Sequence, residues 1–200
     1  PSSRLEILEM DIKFVWVEEY RRFANVLTVL DTFTSVAYAG MPVIKSDTSD
    51  QKHREYIIEQ YLQPYDLLGK KIQIEIRNDN DGRFVAIGLQ EFFRENQLTQ
   101  VFTNPYTPQE SGHIESFHAY LSERLGWQNF WSLIELEQCM ILFYEKYNNH
   151  RLHSSTCYLP PMVFWSIWEQ GHIKSCQDEK KREIKFRLLI TYHQLSGNMN

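Results

Sequence analysis

The residues that could do chemistry are three carboxylates scattered along the chain. The stretch "NPYTPQESGHIESFHAYL", Asn104 to Leu121, places one acid, Glu115, among aromatic and small polar residues just after a Pro-rich turn. The positive end of a helix dipole favours an acid there whatever its job, so Glu115 signals chemistry only if partners reach it from elsewhere. Asp11 sits in the apolar run "LEILEMDIKFVWV", on the face opposite Ile12, Phe14 and Trp16. An acid in so apolar a segment is costly to bury unless it is paired or binds a cation. Asp79 follows the alternating Ile72, Ile74 and Ile76, in "RNDNDG", where a turn begins. Three carboxylates brought together repel one another, and a divalent cation removes that cost. Oxygen-only donors favour Mg2+ or Mn2+, which keep positions open for water and phosphate, and two such ions can clamp both oxygens of an in-line phosphoryl transfer. Turn-forming or solvated acids are the commoner outcome of such spacing taken alone.

Other polar residues stand near these acids. Asn80 and Gln109 are candidates to orient a ligand or simply to form turns. His113 and His118 flank Glu115, and His118, three residues on, shares its helical face. In "NNHRLH", His150, Arg151 and His153 form either a contact to a DNA backbone or a solvated loop.

The elements that must position these residues follow from periodicity. "LEILEMDIKFVWV" alternates as a strand, "EEYRR" is a turn, and "RRFANVLTVLDTFTSVAYAG" reads as two further β segments of an antiparallel meander. "SDTSDQKHREYIIEQYLQPY" changes to a capped helical stripe of Tyr56, Ile57, Gln60 and Tyr61. "KKIQIEIRND" returns to strand, and "GRFVAIGLQEFFRENQL" is helical with Phe84, Ile87, Leu89, Phe92 and Phe93 on its apolar side. "TQVFTN" is a short strand, a helix runs from about Ser111 to Leu125, and "SLIELEQCMILFYEKYNNHR" is a long helix with Leu136, Met140, Phe143, Tyr144 and Tyr147 as its core stripe. "LPPMVFWSIW" closes the compact part. Strands followed by alternating helices and strands imply an α/β fold, a mixed sheet with helices packed on it. Residues 1–170 are expected to form the core, and 171–200 a charged linker with an extra strand in "IKFRLLITYH" or the start of a further segment.

Bulk properties set the frame. Two hundred residues with 42% hydrophobic and 14% aromatic content suit one folded domain. No apolar run is long enough to span a bilayer, so no membrane partner is expected. Cys139, Cys157 and Cys176 lack metal spacing and read as free thiols of a reducing, cytoplasmic compartment. The net charge of −5 counts against a strong free-standing nucleic-acid binder, though acids that hold cations contribute to that sign. A chain that opens at Pro1 is expected to be a piece of something longer.

From Leu8 to about Trp165 the chain resembles the catalytic core of retroviral integrases and insertion-sequence transposases. Four segments carry the resemblance. "EMDIKFVWV" is similar to the first-strand motif, with its aspartate at Asp11. "IRNDNDGRF" is similar to the second motif, with its aspartate at Asp79. "TPQESGHIESFH" is similar to the third, with its glutamate at Glu115, and thirty-five residues separate it from Asp79, the family's characteristic interval. "YNNHRLHSSTCYLPPMVFW" resembles the transposase tail motif of Tyr-Asn, Arg-x-His and a late proline. The resemblance implies a ribonuclease-H-like fold, a mixed five-stranded sheet flanked by helices. It also implies a two-metal polynucleotidyl transferase that uses Mg2+ or Mn2+. In such enzymes water attacks a phosphodiester at an element's end, and the freed 3′-hydroxyl then attacks a target strand. DNA is the implied partner, a dimer or higher homo-oligomer the implied assembly, and a helix-turn-helix module upstream of the core the implied source of sequence specificity.

The chain departs from the family pattern at several positions. Asp81 stands where a glycine usually follows Asp-Asn, and it is the alternative second ligand; motif register and interval favour Asp79. Ser111 replaces the usual asparagine. Many relatives carry Lys or Arg seven residues after the glutamate, where this chain has Ser122, and Arg124 falls about 180° away from the Glu115 face. Two competing readings stay open: a catalytically inactive multimerisation or regulatory remnant, and a ribonuclease-H-type nuclease without strand transfer.

Overall fold

The computed structural model describes residues 4–39, 42–44, 73–82, 84–85, 87–103, 108–126, 128–178 and 183–190. The helix expected between Ser46 and Tyr65 and the position of Ile72 lie outside the described residues. Two compact units are formed, Pro1–Phe33 with Ala37–Tyr144, and Thr34–Val36 with Glu145–Asn200.

In the first unit, β1 (Ile7–Val17) turns at residues 18–21 into β2 (Arg22–Asp31), followed by β3 (Ala37–Ala39) and the two-residue β4 (Val43–Ile44). β5 (Ile74–Asn78), α1 (Ile87–Glu95), β6 (Leu98–Phe102), α2 (Pro108–Leu125) and α3 (Leu133–His150) follow. The strands form a mixed sheet in the order β3-β2-β1-β5-β6, with β4 also paired to β2. β1 and β2 are antiparallel, from Leu8 opposite Asp31 to Val17 opposite Arg22. β5 lies parallel to β1, and β6 parallel to β5. This mixed sheet, five strands in a row with the two-residue β4 added on β2, is flanked by helices and is the ribonuclease-H-like fold.

The two faces of the sheet differ because a strand sends alternate side chains to opposite sides. Leu8, Met10 and Ile12 of β1 and Ile74 and Ile76 of β5 form one core with Leu89, Phe92 and Phe93 of α1. Ile87, expected on that apolar side, is instead 75% exposed. It opens α1 two residues before Leu89, about 200° around the helix, and so faces away from the core. Phe84 is buried but precedes the helix, in a turn where its N–H donates to the Asp81 carbonyl (2.9 Å).

α2 packs on the other face through Ile114, Phe117, Leu121 and Leu125, spaced to fall on one side of a helix. It begins at Pro108, three residues before the expected Ser111. Proline is tolerated in a first turn, where an N–H would have no helical acceptor. It ends at Gly126, whose positive φ (53°) lets its N–H reach the Ser122 carbonyl (2.9 Å). Leu136, Met140 and Tyr144 of α3 are buried as expected, and the Tyr144 ring lies 5.5 Å from Phe117. The buried Tyr144 and Thr28 hydroxyls are hydrogen-bonded, tying α3 to β2.

The second unit holds the last turns of α3, a 3-10 turn at Ser154–Thr156, α4 (Pro161–Glu169), β7 (Ile173–Asp178) and β8 (Glu183–Leu188). Where sequence predicts a charged linker and one extra strand, β7 and β8 pair antiparallel from Ile173 opposite Leu188 to Asp178 opposite Glu183. The apolar period that a single-strand reading finds only in "IKFRLL" is answered by Phe164 and Trp168 of α4, whose rings lie 4.9 and 5.8 Å from Phe186.

Candidate functional site

Of the three predicted acids, Asp11 lies on the α2 face of the sheet, Asp79 just past the end of β5, and Glu115 on α2 itself. Asp11 lies mid-strand in β1, opposite Thr28 of β2. Parallel pairing of β1 with β5 runs Ile7–Glu75, Leu8–Ile76, Glu9–Arg77. Continuing that register two residues brings Asp79 level with Asp11, on strands about 4.8 Å apart. Asp79 is exposed and begins the turn, with one oxygen accepting from the Asp81 N–H (3.1 Å). Glu115 is exposed on α2, one turn before His118. His118 reaches the first strand directly, its Nδ1 standing 2.9 Å from Asp11 Oδ2. A carboxylate can only accept, so that nitrogen carries the proton. His118 is 11% exposed at its side chain, and its Nε2 is buried with no hydrogen-bond partner among the described residues. The other Asp11 oxygen accepts from the Ile12 N–H (2.7 Å).

Two further contacts between β1 and α2 frame this pair. Glu9, on the same strand face two residues earlier, is only 2% exposed. Its Oε2 accepts from the Ile114 N–H (2.7 Å), and its Oε1 from His113 Nδ1 (2.9 Å). That hydrogen bond to Glu9 holds the His113 pKa above the ordinary histidine value against the opposing effect of burial. Two residues beyond Asp11, Lys13 Nζ donates to Ser122 Oγ (2.7 Å), and Ser122 Oγ donates to the His118 carbonyl (2.6 Å). Sequence reasoning passed over Glu9 and Lys13. The available signal was the two-residue spacing, which puts Glu9, Asp11 and Lys13 on one strand face.

The donors suit a hard divalent cation: they are carboxylates alone, with Asp11 half-buried and Asp79 and Glu115 exposed. In the conformation described they are not drawn together. Among the described residues no group of three or more His, Cys, Asp or Glu side chains is close enough to hold a metal ion.

His150, Arg151 and His153 belong to the second unit. His150 is exposed, its Nε2 3.7 Å from Glu145 Oε1. His153 packs edge-on to Tyr147 at 4.9 Å, and burial first, then the Arg151 charge, lowers its pKa to about 4. Among the described residues no helix is long and apolar enough to cross a membrane.

Residues 96–161 match the family model described as the integrase core domain. Solved structures of similar fold include the BIV integrase catalytic core (18% identity, TM-score 0.58, covering 84% of this chain and 97% of that one). The HTLV-2 integrase catalytic core in complex with magnesium, in its trimeric form, is 15% identical with TM-score 0.53, over 80% of this chain and 95% of that one. A chain of the simian T-cell lymphotropic virus intasome bound to a PP2A regulatory subunit is 14% identical with TM-score 0.58, over 82% of this chain. The match spans 55% of that intasome chain. No curated protein matches the chain. At 14–18% identity these structures show a shared fold, and the integrase core domain model matches residues 96–161 of the chain.

Proposed function

We propose that this domain is the catalytic core of a DNA transposase or integrase, cutting a phosphodiester and joining the freed 3′-hydroxyl to a target strand. The reading is carried by the parallel register of β1 and β5, which, continued two residues past the Glu9–Arg77 pair, sets Asp79, just beyond the end of β5, level with Asp11, with Glu115 on the helix packed over β1. Asp11, Asp79 and Glu115 would hold two Mg2+ or Mn2+ ions, as the donor set favours. Bound there, the ions supply Lewis acidity to the entering and leaving oxygens of the phosphate. The chain's own residues do the positioning. His118 Nδ1–H fixes the rotamer of Asp11. Tyr144 holds Thr28 beside it, and the clasp of Glu9 on Ile114 sets the height of α2 and therefore of Glu115. DNA is the substrate, and a homo-oligomer, dimer or larger, is the working assembly. The HTLV-2 core, solved with magnesium in dimeric and trimeric forms, supports both the ion and the assembly.

The hold of His118 on Asp11 also suits a second reading, an inactive core that serves in multimerisation. One experiment separates the two. Glu115→Gln should abolish Mn2+-dependent cleavage of a labelled duplex while its far-ultraviolet circular dichroism and urea midpoint stay at the wild-type values. Unchanged cleavage by that variant refutes the assignment of Glu115, and absence of cleavage by the wild-type protein favours the inactive core.

A further inference from the structure

We infer that Lys13 is a phosphate-contacting residue that seats the nucleic-acid strand next to the carboxylates; the inference rests on the function proposed above. Lys13 follows Asp11 by two residues on β1, so both side chains leave the same face of the sheet, about 7 Å apart along the strand. Its ammonium does not turn away to bulk solvent. It is half-buried against α2, where Ser122 Oγ takes one of its hydrogens at 2.7 Å. Ser122 itself is held by donating to the His118 carbonyl at 2.6 Å, and His118 is the residue that grips Asp11. One continuous set of contacts therefore joins the carboxylate of Asp11 to the ammonium of Lys13.

The chemistry of the Lys13 site is unbalanced. An ammonium has three hydrogens to donate and no acceptor function. Among the described residues no carboxylate lies within 4 Å of this one, and its partner is a neutral hydroxyl. A cation half-withdrawn from water without a counter-ion is costly, more so where acids outnumber bases and an ion pair would be easy to form. An arriving anion removes the cost. The anion that must lie beside Asp11 in the proposed reaction is a phosphodiester, and its neighbour along the strand falls within reach of the two remaining Lys13 hydrogens. The contact is made to backbone oxygens, so it carries affinity and not base preference.

The test reads binding of a short fluorescein-labelled duplex by anisotropy over a range of KCl concentrations, with chelator present so that binding alone is observed. Lys13→Gln should lower the slope of log K against log salt by about 0.9, equally for two unrelated sequences. Ser122→Ala, which removes the hydroxyl but keeps the ammonium, should leave the slope at the wild-type value. Moving the charge from strand to helix, in the double variant Lys13→Gln with Ser122→Lys, should restore it. If Lys13→Gln keeps the wild-type slope, or if Ser122→Ala lowers it as much as Lys13→Gln does, Lys13 is only a pin between β1 and α2 and the inference fails. Failure of the double variant to restore the slope also overturns it. Metal-dependent cleavage by the wild-type protein, measured in parallel, separates these outcomes from failure of the proposed function itself, which would show as no cleavage.

Discussion

Removing the Glu9 carboxylate should unfasten α2 from the sheet at the turn that carries Glu115. Glu9 is 2% exposed and accepts two hydrogen bonds, from the Ile114 N–H at 2.7 Å and from His113 Nδ1 at 2.9 Å. Hydrogen bonds to a charged group contribute about 1.5–3 kcal/mol each, and an orphaned buried donor costs about 1–3 kcal/mol. Only the Ile114 N–H is buried; the His113 ring is half-exposed and regains water. Glu9→Ala should therefore cost about 2–4 kcal/mol in urea unfolding, whereas Glu9→Gln, which keeps an acceptor oxygen for the Ile114 N–H, should cost about 1–2 kcal/mol. Because Ile114 adjoins Glu115, the alanine variant should also bind Mn2+ more weakly in a titration followed by electron paramagnetic resonance, and the glutamine variant should recover most of that loss. A Glu9→Ala protein whose urea midpoint lies within the error of wild type would refute the view that this buried acid holds the helix.

The hydroxyl pair of Tyr144 and Thr28 is buried, so Tyr144→Phe, which leaves the Thr28 hydroxyl unpartnered, should cost about 1–2 kcal/mol, and adding Thr28→Val should cost less than the two single changes combined; calorimetry of the three variants checks both statements. His153 is neutral in the folded protein, since burial, aided by Arg151, lowers its pKa from 6.5 to about 4. Its folded pKa lies below the unfolded one, so the unfolded chain binds the extra proton as pH falls. The stability it allows is intact above pH 6.5 and is lost between 6.5 and about 4. With partial exposure discounted, the loss should be on the order of 1–2 kcal/mol, and His153→Gln should flatten that limb of the urea midpoint plotted against pH. His113 works in the opposite sense. Its pKa is raised by the bond to Glu9, so its contribution is complete below 6.5 and fades as pH rises through the raised value; His113→Gln should remove that alkaline decline.

Period-two alternation made β1 and β5 legible, Val- and Thr-rich composition made β2 legible, and the Leu89, Phe92 and Phe93 spacing made α1 legible, because each pattern is written within a few neighbouring residues. Motif and interval are what single out Asp11, Asp79 and Glu115 as the candidate acids. What escaped was of two kinds. Ile87 was assigned to the wrong side because it stands two residues before Leu89, about 200° around the helix, off the face that Leu89, Phe92 and Phe93 share. The β7–β8 pairing escaped because alternation in β7 is carried by Ile173, Ser175 and Gln177, only one of them apolar, and its partner strand across the turn was read alone. Glu9, Lys13 and Ser122 escaped for a different reason: their roles exist only when strand and helix meet.

That meeting has a simple metric basis. Along β1, Glu9, Asp11 and Lys13 are spaced by two residues, about 6.6 Å each. Along α2, their partners His113–Ile114, His118 and Ser122 are spaced by four or five residues, about 6–7.5 Å each at 1.5 Å per residue. The order of partners ascends in both elements, so the helix runs with the strand and three successive rungs match without stretching either. Each rung meets a charge on the covered face with its own polar group, which is how a helix can lie over a strand bearing two acids and a lysine. The Glu9 and Lys13 contacts join residues 104–105 and 109 positions apart in sequence, so no local window displays them. The same match makes the rungs interdependent. A shift of α2 by one residue would move Glu115 by about 1.5 Å and turn it by about 100°, and all three contacts must break for that to occur. The framework that fixes α2, and with it the position of Glu115 along the helix, against β1 is therefore the spacing of strand against helix itself.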